Sequence, residues 1–254
     1  MIPPIEGRTA LVTGAGNGLG RAMAISLSEA GAHVILVGRT SASLAETAGL
    51  LSGPSTIAPC DVADVQSVDG LREHFDPADV SILVNNAGIA GPVAPLHEID
   101  PGEWDEVFDV NVRGTYLMCR LVLPGMISRS FGQIVTIASV TGKRPLTRRT
   151  PYAASKIALI GLTRTLAFEV GPHGILVNTL SPGPVRGPRM TRNFRLEAQR
   201  TGTTEAQAEE AYVSRAAQHR LVEEWEVGEA LVAMLRIPGM TGADVDLSAG
   251  MIAP

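Results

Sequence analysis

Short apolar and β-branched runs alternate along this chain with longer stretches in which apolar residues recur at helical spacing. Strands that alternate with helices are typical of a parallel sheet covered by helices on both faces. The pattern therefore predicts a doubly wound α/β fold of seven parallel strands, in one domain over residues 1–254, with a ligand crevice at the carboxyl ends of the strands. The predicted strands are Thr9–Thr13, His33–Val37, Thr56–Pro59, Ser81–Val84, Gln133–Ala138, Leu176–Leu180 and Asp244–Leu247. The predicted helices lie near residues 18–30, 41–51, 64–74, 101–129, 152–171 and 225–236.

The segment from Pro184 to about Arg220 breaks this alternation. It is rich in Arg, Thr, Glu and Ala and falls between the sixth strand and the last helix. Long excursions from a compact domain are usually lids, binding loops or disordered stretches. Because this one follows the carboxyl end of a strand, we expect a substrate lid at about residues 184–220.

Composition narrows the function classes. The 254 residues are 45% apolar and 19% charged, with a formal net charge of −5, so no general attraction to nucleic acid or membranes is expected. Apolar runs such as Ile134–Ala138 are far too short to span a membrane, and Met1–Glu6 lacks the pattern of a signal peptide. Cys60 and Cys119 are the only cysteines, which fits a reducing, cytoplasmic location. The five histidines show no metal-ligand spacing, so no metal site is expected.

The first predicted strand runs directly into a glycine-rich turn, Thr13–Gly20, and a helix follows from Arg21. Glycines at such a turn let the backbone approach a pyrophosphate, and the helix N-terminus offers it a partial positive charge. The spacing is G-x-x-x-G-x-G, which differs from the common dinucleotide fingerprint. The strand–turn–helix context nevertheless indicates a nucleotide-binding function.

The end of the second predicted strand bears on the choice of cofactor. An acid at this position usually holds the adenosine ribose hydroxyls. Here the sequence is Val37-Gly38-Arg39-Thr40, without a carboxylate. A guanidinium pairs well with a 2′-phosphate, so Arg39 favours NADP(H), with NAD(H) as the alternative. A solvated loop arginine is the other interpretation of this residue.

Two further strand ends carry residues suited to a nucleotide. Asp61-Val62 follows the third strand, where the acid could accept a hydrogen bond from an adenine amino group. Asn85-Asn86-Ala87-Gly88 follows the fourth strand and allows close backbone approach. Either segment in isolation is also compatible with an ordinary turn.

Tyr152 and Lys156 are the most informative pair in the chain. Residues at i and i+4 lie one helical turn apart on the same face, which places an ammonium beside a phenol. A free phenol has a pKa of about 10, and a neighbouring cation lowers it, so Tyr152 becomes a candidate general acid and base. Ser139, thirteen residues upstream of Tyr152, adds a hydroxyl that can hydrogen-bond a carbonyl or alcohol oxygen.

These motifs, taken together, resemble the short-chain dehydrogenases/reductases from residue 8 to about 250. The resemblance implies a single Rossmann domain, NAD(P)-dependent oxidation or reduction at a carbonyl or alcohol carbon of a small molecule, and a homotetramer. The matching elements, in order, are Thr-Gly-x-x-x-Gly-x-Gly at 13–20, Asn-Asn-Ala-Gly at 85–88, Asn111, Ser139, Tyr152, Lys156 and Pro182-Gly183.

The resemblance also implies roles for individual residues. Tyr152 would be the general acid/base, Lys156 would bind the nicotinamide ribose and lower the pKa of the tyrosine, and Ser139 would orient the reacting oxygen. Asn111 would hold a water that links Lys156 to solvent. With Arg39 added, the expected cofactor-binding residues are Gly14, Asn17, Gly18, Leu19, Arg39, Asp61, Val62, Asn86, Ala87, Gly88, Tyr152, Lys156, Pro182, Gly183 and Val185.

Two departures from the family pattern concern the cofactor. The family often has Pro-Gly-x-Val-x-Thr, whose threonine binds the carboxamide, but this chain reads Pro182–Gly187 without it, and Thr191 lies too far along to be equated with it. We therefore expect the carboxamide to rely on backbone groups near Val185. Position 17 is a neutral Asn where NADP-preferring members often carry a basic residue.

A local excess of basic residues bears on the substrate. It could recognise a carboxylate, sulfonate, phosphate or phosphopantetheine arm, or its members could cap helices and bridge subunits. The predicted substrate-facing segments contain Lys143, Arg144, Arg148, Arg149, Arg186, Arg189, Arg192 and Arg195.

Three function classes follow from the sequence. The first is an oxidoreductase that interconverts an alcohol and a ketone, acting on an anionic small molecule, polyol or hydroxy acid, or as a 3-oxoacyl-[acyl-carrier-protein] reductase. The second is a catalytically idle dinucleotide sensor, which would be expected to lose Tyr152 or Lys156. The third is an isomerase or lyase, which usually needs a larger C-terminal substrate domain. The complete Ser, Tyr, Lys and Asn set favours the first.

The predicted helices 101–129 and 152–171 suggest how subunits could assemble. Each has apolar positions that could pack on the sheet on one side and on a neighbouring subunit on the other, giving a four-helix contact. These positions are Val107, Val110, Leu117 and Leu121 in the first helix, and Ile157, Ile160 and Leu166 in the second.

Overall fold

The seven strands found within residues 4–252 pair in parallel in one sheet, in the order β3-β2-β1-β4-β5-β6-β7. We describe residues 4–252 from a computed structural model. The strand order reverses between β1 and β4, so the carboxyl ends of these strands flank the crevice of a doubly wound sheet. The predicted seven-stranded parallel Rossmann fold is confirmed. The strands are β1 (Thr9–Thr13), β2 (His33–Gly38), β3 (Ser55–Pro59), β4 (Val80–Asn85), β5 (Gly132–Ile137), β6 (Ile175–Pro182) and β7 (Asp244–Leu247).

Helices cover both faces of the sheet, and several begin at a residue that caps their free N–H groups. The Asp64 carboxylate accepts from the backbone of Gln66 and Ser67, and Asp100 forms a capping box with Glu103. The helices are α1 (Gly18–Glu29), α2 (Ser41–Ala48), α3 (Val65–Gly70), α4 (Pro101–Phe108), α5 (Gly114–Arg129), α6 (Thr150–Val170), α7 (Pro188–Thr201), α8 (Glu205–Val213) and α9 (Glu224–Leu235).

The apolar runs of the strands are buried on both sides, as expected for a parallel sheet. In β2, Val34 and Leu36 join the core layer beneath α1 and α9, while Ile35 and Val37 join the layer beneath α5 and α6. Strand side chains alternate between the two faces, so a single run of apolar residues supplies both layers. The rigid sheet then fixes the positions of the loops at its carboxyl edge.

Two regions differ from the sequence prediction. The helix predicted over 101–129 is interrupted by a π turn at Asp109–Arg113, which separates α4 from α5. The excursion at 184–220 contains two helices that the sequence did not predict, α7 and α8. Both pack on a small apolar cluster of their own, which explains why a largely polar segment folds. That cluster consists of Met190, Phe194, Ala198, Ala208, Val213 and Leu221.

Candidate active site

The glycine-rich turn after β1 is too tightly packed for side chains. Gly14 has a φ of +65°, and a Cβ on Gly20 would clash with the carbonyl oxygen of Gly14. Asn17 precedes α1, and its side chain makes no hydrogen bond to the first N–H groups of this helix. The turn therefore leaves a cradle at the positive end of the α1 dipole, where a pyrophosphate fits.

A hydroxyl at the end of β1 joins this turn to the loop after β4. The Thr13 Oγ1 accepts hydrogen bonds from the backbone N–H groups of Asn86 and Ala87, at 2.9 and 3.0 Å. In return, the Asn86 Nδ2 donates to the Thr13 carbonyl at 2.9 Å. The two loops are consequently held side by side. Sequence reasoning did not assign this role to Thr13, although a hydroxyl at a strand end next to a glycine turn is a detectable signal.

A cavity of about 280 Å³ lies between the glycine turn and the ends of β2 and β3. Asp61 borders it, with its Oδ1 accepting from the Ala63 N–H at 3.0 Å, and Val62 lies buried beside it. Arg39 is exposed at the rim and makes no hydrogen bond or ion pair with any residue described here. Asp61 is the one carboxylate among the described residues that line this cavity. An anionic group near Arg39 would therefore meet little repulsion.

Tyr152 and Lys156 meet on α6 as the sequence predicted. The Lys156 Nζ lies 5.7 Å from the centre of the Tyr152 ring and donates to the Ile137 carbonyl at 2.8 Å. The lysine is 4% exposed. Burial, together with the smaller effect of the nearby charge of Arg189, lowers the pKa of Lys156 to about 7. The Lys156 ammonium is thus held beside the Tyr152 phenol in a place where water does not hydrate it.

Ser139 lies two residues beyond the end of the buried strand β5. Its Oγ accepts a hydrogen bond from the Thr141 N–H at 3.1 Å, which fixes the side chain. Because the oxygen accepts in that bond, its own proton is still available for donation. Ser139 and Tyr152 line the same cavity.

Asn111 lies in the π turn and is fully buried. Its side-chain amide forms hydrogen bonds with the loop after β4 and with α6. Its Oδ1 accepts from the Ile89 N–H at 2.8 Å, and its Nδ2 donates to the Ile89 carbonyl and to the Ser155 Oγ. A Cβ on Gly88 would lie 3.1 Å from the Asn111 Oδ1 and 3.5 Å from the Lys156 Nζ. Asn111 therefore positions the loop after β4 against Lys156. A water-holding role for it stays a prediction.

The turn after β6 closes the other side of the site. The Gly183 N–H donates to the Leu247 carbonyl at 2.8 Å, and a Cβ on Gly183 would come within 2.8 Å of the Ser248 Cα. Val185 forms an isolated bridge with Val222. Thr191 is exposed on α7 and does not line the site; its hydroxyl donates to the Gly187 carbonyl. The geometry thus gives Thr191 no role in place of the missing threonine.

Two adjoining cavities form one continuous trough. The second cavity, of about 480 Å³, is bordered by Ser139, Tyr152, the turn after β6, and the helices α7 and α8. It shares Asn17, Gly18 and Leu19 with the cavity beside Arg39. The trough therefore runs from Arg39, past the glycine turn, to Tyr152, which is the shape needed for an extended dinucleotide with its reactive end at Tyr152.

The basic residues that the sequence placed near the substrate separate into two groups. Lys143 pairs with Asp244 and Asp246, where the hydrogen bonds outweigh burial and raise the pKa of the ammonium. Arg186 pairs with Glu209 and Glu223, and Arg195 with Glu205. These three are neutralised by carboxylates.

The remaining members of that set carry no carboxylate partner among residues 4–252. Arg149 and Arg189 line the trough, and Arg189 borders both of its cavities. Arg148 is exposed and donates only to the Val93 carbonyl, while Arg144 and Arg192 make no side-chain hydrogen bond to the described residues. Asn193, Tyr212 and Glu224 also line the second cavity, although they were not among the predicted site residues.

Neither a metal-binding cluster nor a membrane-spanning helix occurs within residues 4–252. In this range no cluster of three or more His, Cys, Asp or Glu side chains is arranged to bind a metal ion. None of the helices described here combines the length and apolar character that a bilayer crossing requires. Cys60 and Cys119 are both buried and unbridged.

The family model described as short chain dehydrogenase matches residues 8–199. L-xylulose reductase from Mesocricetus auratus is 38% identical over 179 residues, which cover 70% of this chain and 72% of that protein.

Two solved structures extend the comparison to the fold. L-sorbose reductase from Gluconobacter frateurii, described as complexed with NADPH and L-sorbose, superposes with a TM-score of 0.92 at 27% identity and covers 100% of both chains. A 3-oxoacyl-[acyl-carrier protein] reductase with bound NAD from Brucella melitensis gives a TM-score of 0.85 at 32% identity, covering 98% of this chain and 92% of that one. Because the family model matches most of this chain, the chain belongs to the short chain dehydrogenase family of NAD(P)-dependent oxidoreductases.

Proposed function

We propose that this protein reversibly interconverts a ketone and a secondary alcohol, the alcohol being a small polyol, sugar or hydroxy acid, with NADP(H) as the favoured cofactor. The observation that carries the proposal is the position of Ser139 and Tyr152 at one end of a trough whose middle is the glycine turn, with Lys156 buried beside Tyr152. A proton donor, a fixed hydroxyl and a buried cation thus lie where the reactive end of a dinucleotide would reach.

The chain offers a cofactor-binding group at each stage of this trough. Gly14, Asn17, Gly18 and Leu19 would hold the pyrophosphate against α1, where a larger residue at Gly14 or Gly20 would collide with neighbours. When bound, the nicotinamide supplies or accepts the hydride. The adenosine half would lie against Arg39, Asp61 and Val62, and the nicotinamide half against Asn86, Ala87, Gly88, Pro182, Gly183 and Val185.

The proton chemistry belongs to Tyr152. Its hydroxyl would donate to the carbonyl oxygen during reduction and take the proton back during oxidation. Ser139 would donate a hydrogen bond to the same oxygen, since its Oγ already accepts from the Thr141 N–H. Lys156, buried beside the ring, favours the phenolate whenever the ammonium is charged.

The segment around α7 and α8 is the proposed lid. Met190 and Asn193 on α7 and Tyr212 on α8 line the cavity that contains Ser139 and Tyr152. The Tyr212 ring packs edge-on against Phe194 at 5.8 Å, which ties the lid's own apolar cluster to the cavity wall. A substrate bound at Tyr152 would lie beneath these residues.

Initial rates test this function directly. Purified protein should oxidise NADPH or NADH in the presence of members of a panel of ketoses and keto acids, and no such oxidation should occur without the ketone. The names of L-xylulose reductase and L-sorbose reductase support the ketoses as first choices. A 3-oxoacyl reductase is the second candidate, supported by the likeness to such an enzyme, and acetoacetyl-coenzyme A belongs in the panel for that reason.

Cofactor choice provides a sharper prediction, based on Arg39. Among the described residues, the end of β2 carries no carboxylate side chain, and Arg39 makes no hydrogen bond or ion pair that would compete with a phosphate. A hydrogen bond to a charged group contributes about 1.5–3 kcal/mol, or roughly 10- to 150-fold in affinity. We therefore expect kcat/KM to favour NADP(H) over NAD(H) by at least about tenfold.

The double variant Gly38→Asp/Arg39→Leu should reverse that order, because the new carboxylate accepts the ribose hydroxyls and repels the phosphate. A Cβ on Gly38 would lie 3.3 Å from the Leu44 Cδ2, a contact that a flexible side chain can relieve. Arg72→Leu, at an exposed site outside the trough, controls for the lost charge. Equal use of both cofactors by the wild type, or an unchanged ratio in Arg39→Leu, would show that Arg39 is merely a surface residue.

Assembly into a homotetramer is a further proposal. Val107, Leu117, Leu121 and Ile160 are buried within the subunit, so their side chains are not available to a neighbouring subunit. The outer surface of α5 and α6 is instead a shallow apolar hollow of about 670 Å³. Its apolar lining consists of Tyr116, Leu123, Pro124, Ile127, Leu162 and Leu166.

We expect the wild type to sediment as a tetramer at micromolar concentration, because large exposed apolar patches usually mark an interface. Ile127→Glu, which puts a charge into the hollow, should shift the protein towards smaller species. Leu50→Glu, at an exposed position after α2, should not. A wild-type monomer at that concentration would rule out the four-helix contact.

A further inference from the structure

Arg149 is the residue immediately before α6, the helix that carries Tyr152, and its side chain is half-buried in the cavity that also contains Ser139. Its position relative to the catalytic tyrosine is therefore fixed by the start of a long helix. A group bound by Arg149 would belong to the same molecule that reacts at Tyr152, or would lie directly beside it.

The guanidinium is held in place without being neutralised. Its Nη1 donates to the carbonyls of Ala90 and Gly91, at 3.4 and 3.3 Å, and its Nη2 donates to the Asn193 Oδ1 at 3.4 Å. All three acceptors are uncharged and the distances are long. An arginine has five N–H donors in a planar fork, so several remain for a ligand.

No carboxylate of residues 4–252 lies within ion-pair distance of Arg149, in contrast to Arg186, Arg195 and Arg220, which pair at 2.7–3.2 Å. Burial is the largest cause that lowers the pKa of the Arg149 guanidinium. Tyr152 and Tyr212 oppose this shift, whereas the charges of Arg189 and Arg192 add to it. Buried charges are normally paired. The cavity therefore contains a cation that lacks a counter-ion.

The distribution of charge along the cavity is uneven. Among the described residues that line it, Glu224 is the single carboxylate. A Cβ on Gly18 would lie 3.8 Å from the Glu224 Oε1, which places this carboxylate at the glycine-turn end. The end near Tyr152 has Arg149 with Asn193 and Tyr212 as uncharged polar neighbours. An anion would be attracted to that end.

We propose that Arg149, supported by the charge of Arg189, binds an oxyanion of the substrate, so that the substrate is a small keto or hydroxy acid or a phosphorylated ketose rather than a neutral sugar. This inference rests on the proposed function. The shared chemistry is a carboxylate or phosphate carried by the same molecule as the reacting carbonyl. A bidentate guanidinium contact suits both groups.

Pairs of ligands with and without an anionic group test the proposal. The carboxylate pair is acetoacetate and acetoacetamide; the phosphate pair is dihydroxyacetone phosphate and dihydroxyacetone. Binding to the wild type is measured by calorimetry with NADP⁺ present, a dead-end complex that needs no turnover, and kcat and KM are measured with NADPH. The anionic member of at least one pair should bind about tenfold tighter or more, and the pair concerned identifies carboxylate or phosphate.

Arg149→Gln should remove this preference, raising KM for the anionic member by about tenfold or more while leaving the neutral member within about twofold. Arg149→Lys should restore part of it. Arg72→Gln, which removes one exposed charge outside the trough, should leave the preference unchanged.

Equal affinity of the wild type for both members of each pair would overturn the proposal. So would an equal loss for both members in Arg149→Gln, since that result would mean that Arg149 only latches the loop at Ala90 to α7. If charge-dependent binding is present but no ketone is reduced with NADPH, the anion site stands and the proposed oxidoreductase function is what fails.

Discussion

Replacing Tyr152 with Phe is expected to lower kcat by at least about 100-fold, because general acid–base groups contribute about 10²- to 10⁴-fold to catalysis. The substitution removes the hydroxyl and keeps the ring, so the contact with the Lys156 Nζ, 5.7 Å from the ring centre, is retained. Cofactor affinity should therefore change little. Steady-state rates together with cofactor titration by fluorescence would measure both quantities.

Tyr116→Phe is the matched control for that loss. Tyr116 lies on α5 in the apolar hollow proposed as a subunit contact and outside the trough. Phe keeps the ring that lines this hollow, so the same deletion of a hydroxyl there should leave kcat unchanged. Near-normal turnover in Tyr152→Phe would contradict the mechanism, because another group would then have to protonate the substrate oxygen.

Lys156→Met is expected to have opposite effects on function and stability. Turnover and cofactor affinity should both fall, since the proposed roles of Lys156 are to bind the nicotinamide ribose and to assist Tyr152. The folded protein should nevertheless become more stable at neutral pH. Burial holds the pKa of Lys156 at about 7 instead of 10.5. At about 1.4 kcal/mol per pH unit, this shift lowers the free energy of unfolding of the wild type by about 4 kcal/mol at pH 7.

The loss that opposes this gain is smaller. Lys156→Met removes the hydrogen bond from the Nζ to the Ile137 carbonyl, which contributes about 1.5–3 kcal/mol because the donor is charged. At pH 7 the relief of the desolvation penalty exceeds that loss, so the variant should need more urea to unfold than the wild type. An unchanged cofactor Kd in Lys156→Met would contradict the ribose-binding role.

The pH dependence distinguishes this explanation from a simple packing effect. Between pH 7 and 10.5 the unfolded chain keeps the lysine proton that the folded chain has released, so the wild type gains stability as the pH rises through this window. Lys156→Met has no such proton. The stability difference between the two proteins should therefore shrink by about 2 kcal/mol from pH 7 to pH 9. A constant difference would show that the ammonium is not desolvated.

The fold could be predicted from the sequence because its signals are local. Strands such as β2 are continuous apolar runs bounded by turns, and the Tyr152–Lys156 spacing alone places both side chains on one face of α6. The π turn at Asn111 was not predicted, since it alters the hydrogen-bond pattern without an obvious change in composition. Helix α7 had a detectable signal, the apolar residues Met190, Phe194 and Ala198 at four-residue spacing, but its polar surroundings hid it.

The roles of the basic residues could not be read from the sequence. Arg186 and Arg149 occupy similar places in the pattern, one after β6 and the other before α6. Their difference depends on carboxylates brought by distant elements. Glu209 and Glu223 neutralise Arg186, whereas Arg149 meets uncharged acceptors. Such pairing is decided by tertiary contacts, and sequence spacing does not contain it.

The central claim is hydride transfer to a carbonyl at Tyr152, and isotope transfer measures it most directly. The wild type would be incubated with NADPH or NADH that carries two deuterium atoms at C4, together with the ketose and keto acid panel, and the products examined by mass spectrometry. We expect one deuterium on the carbinol carbon of at least one product, at a rate at least about 100-fold lower in Tyr152→Phe. Cofactor binding without deuterium in any product would contradict this account and would indicate a dinucleotide-sensing protein instead.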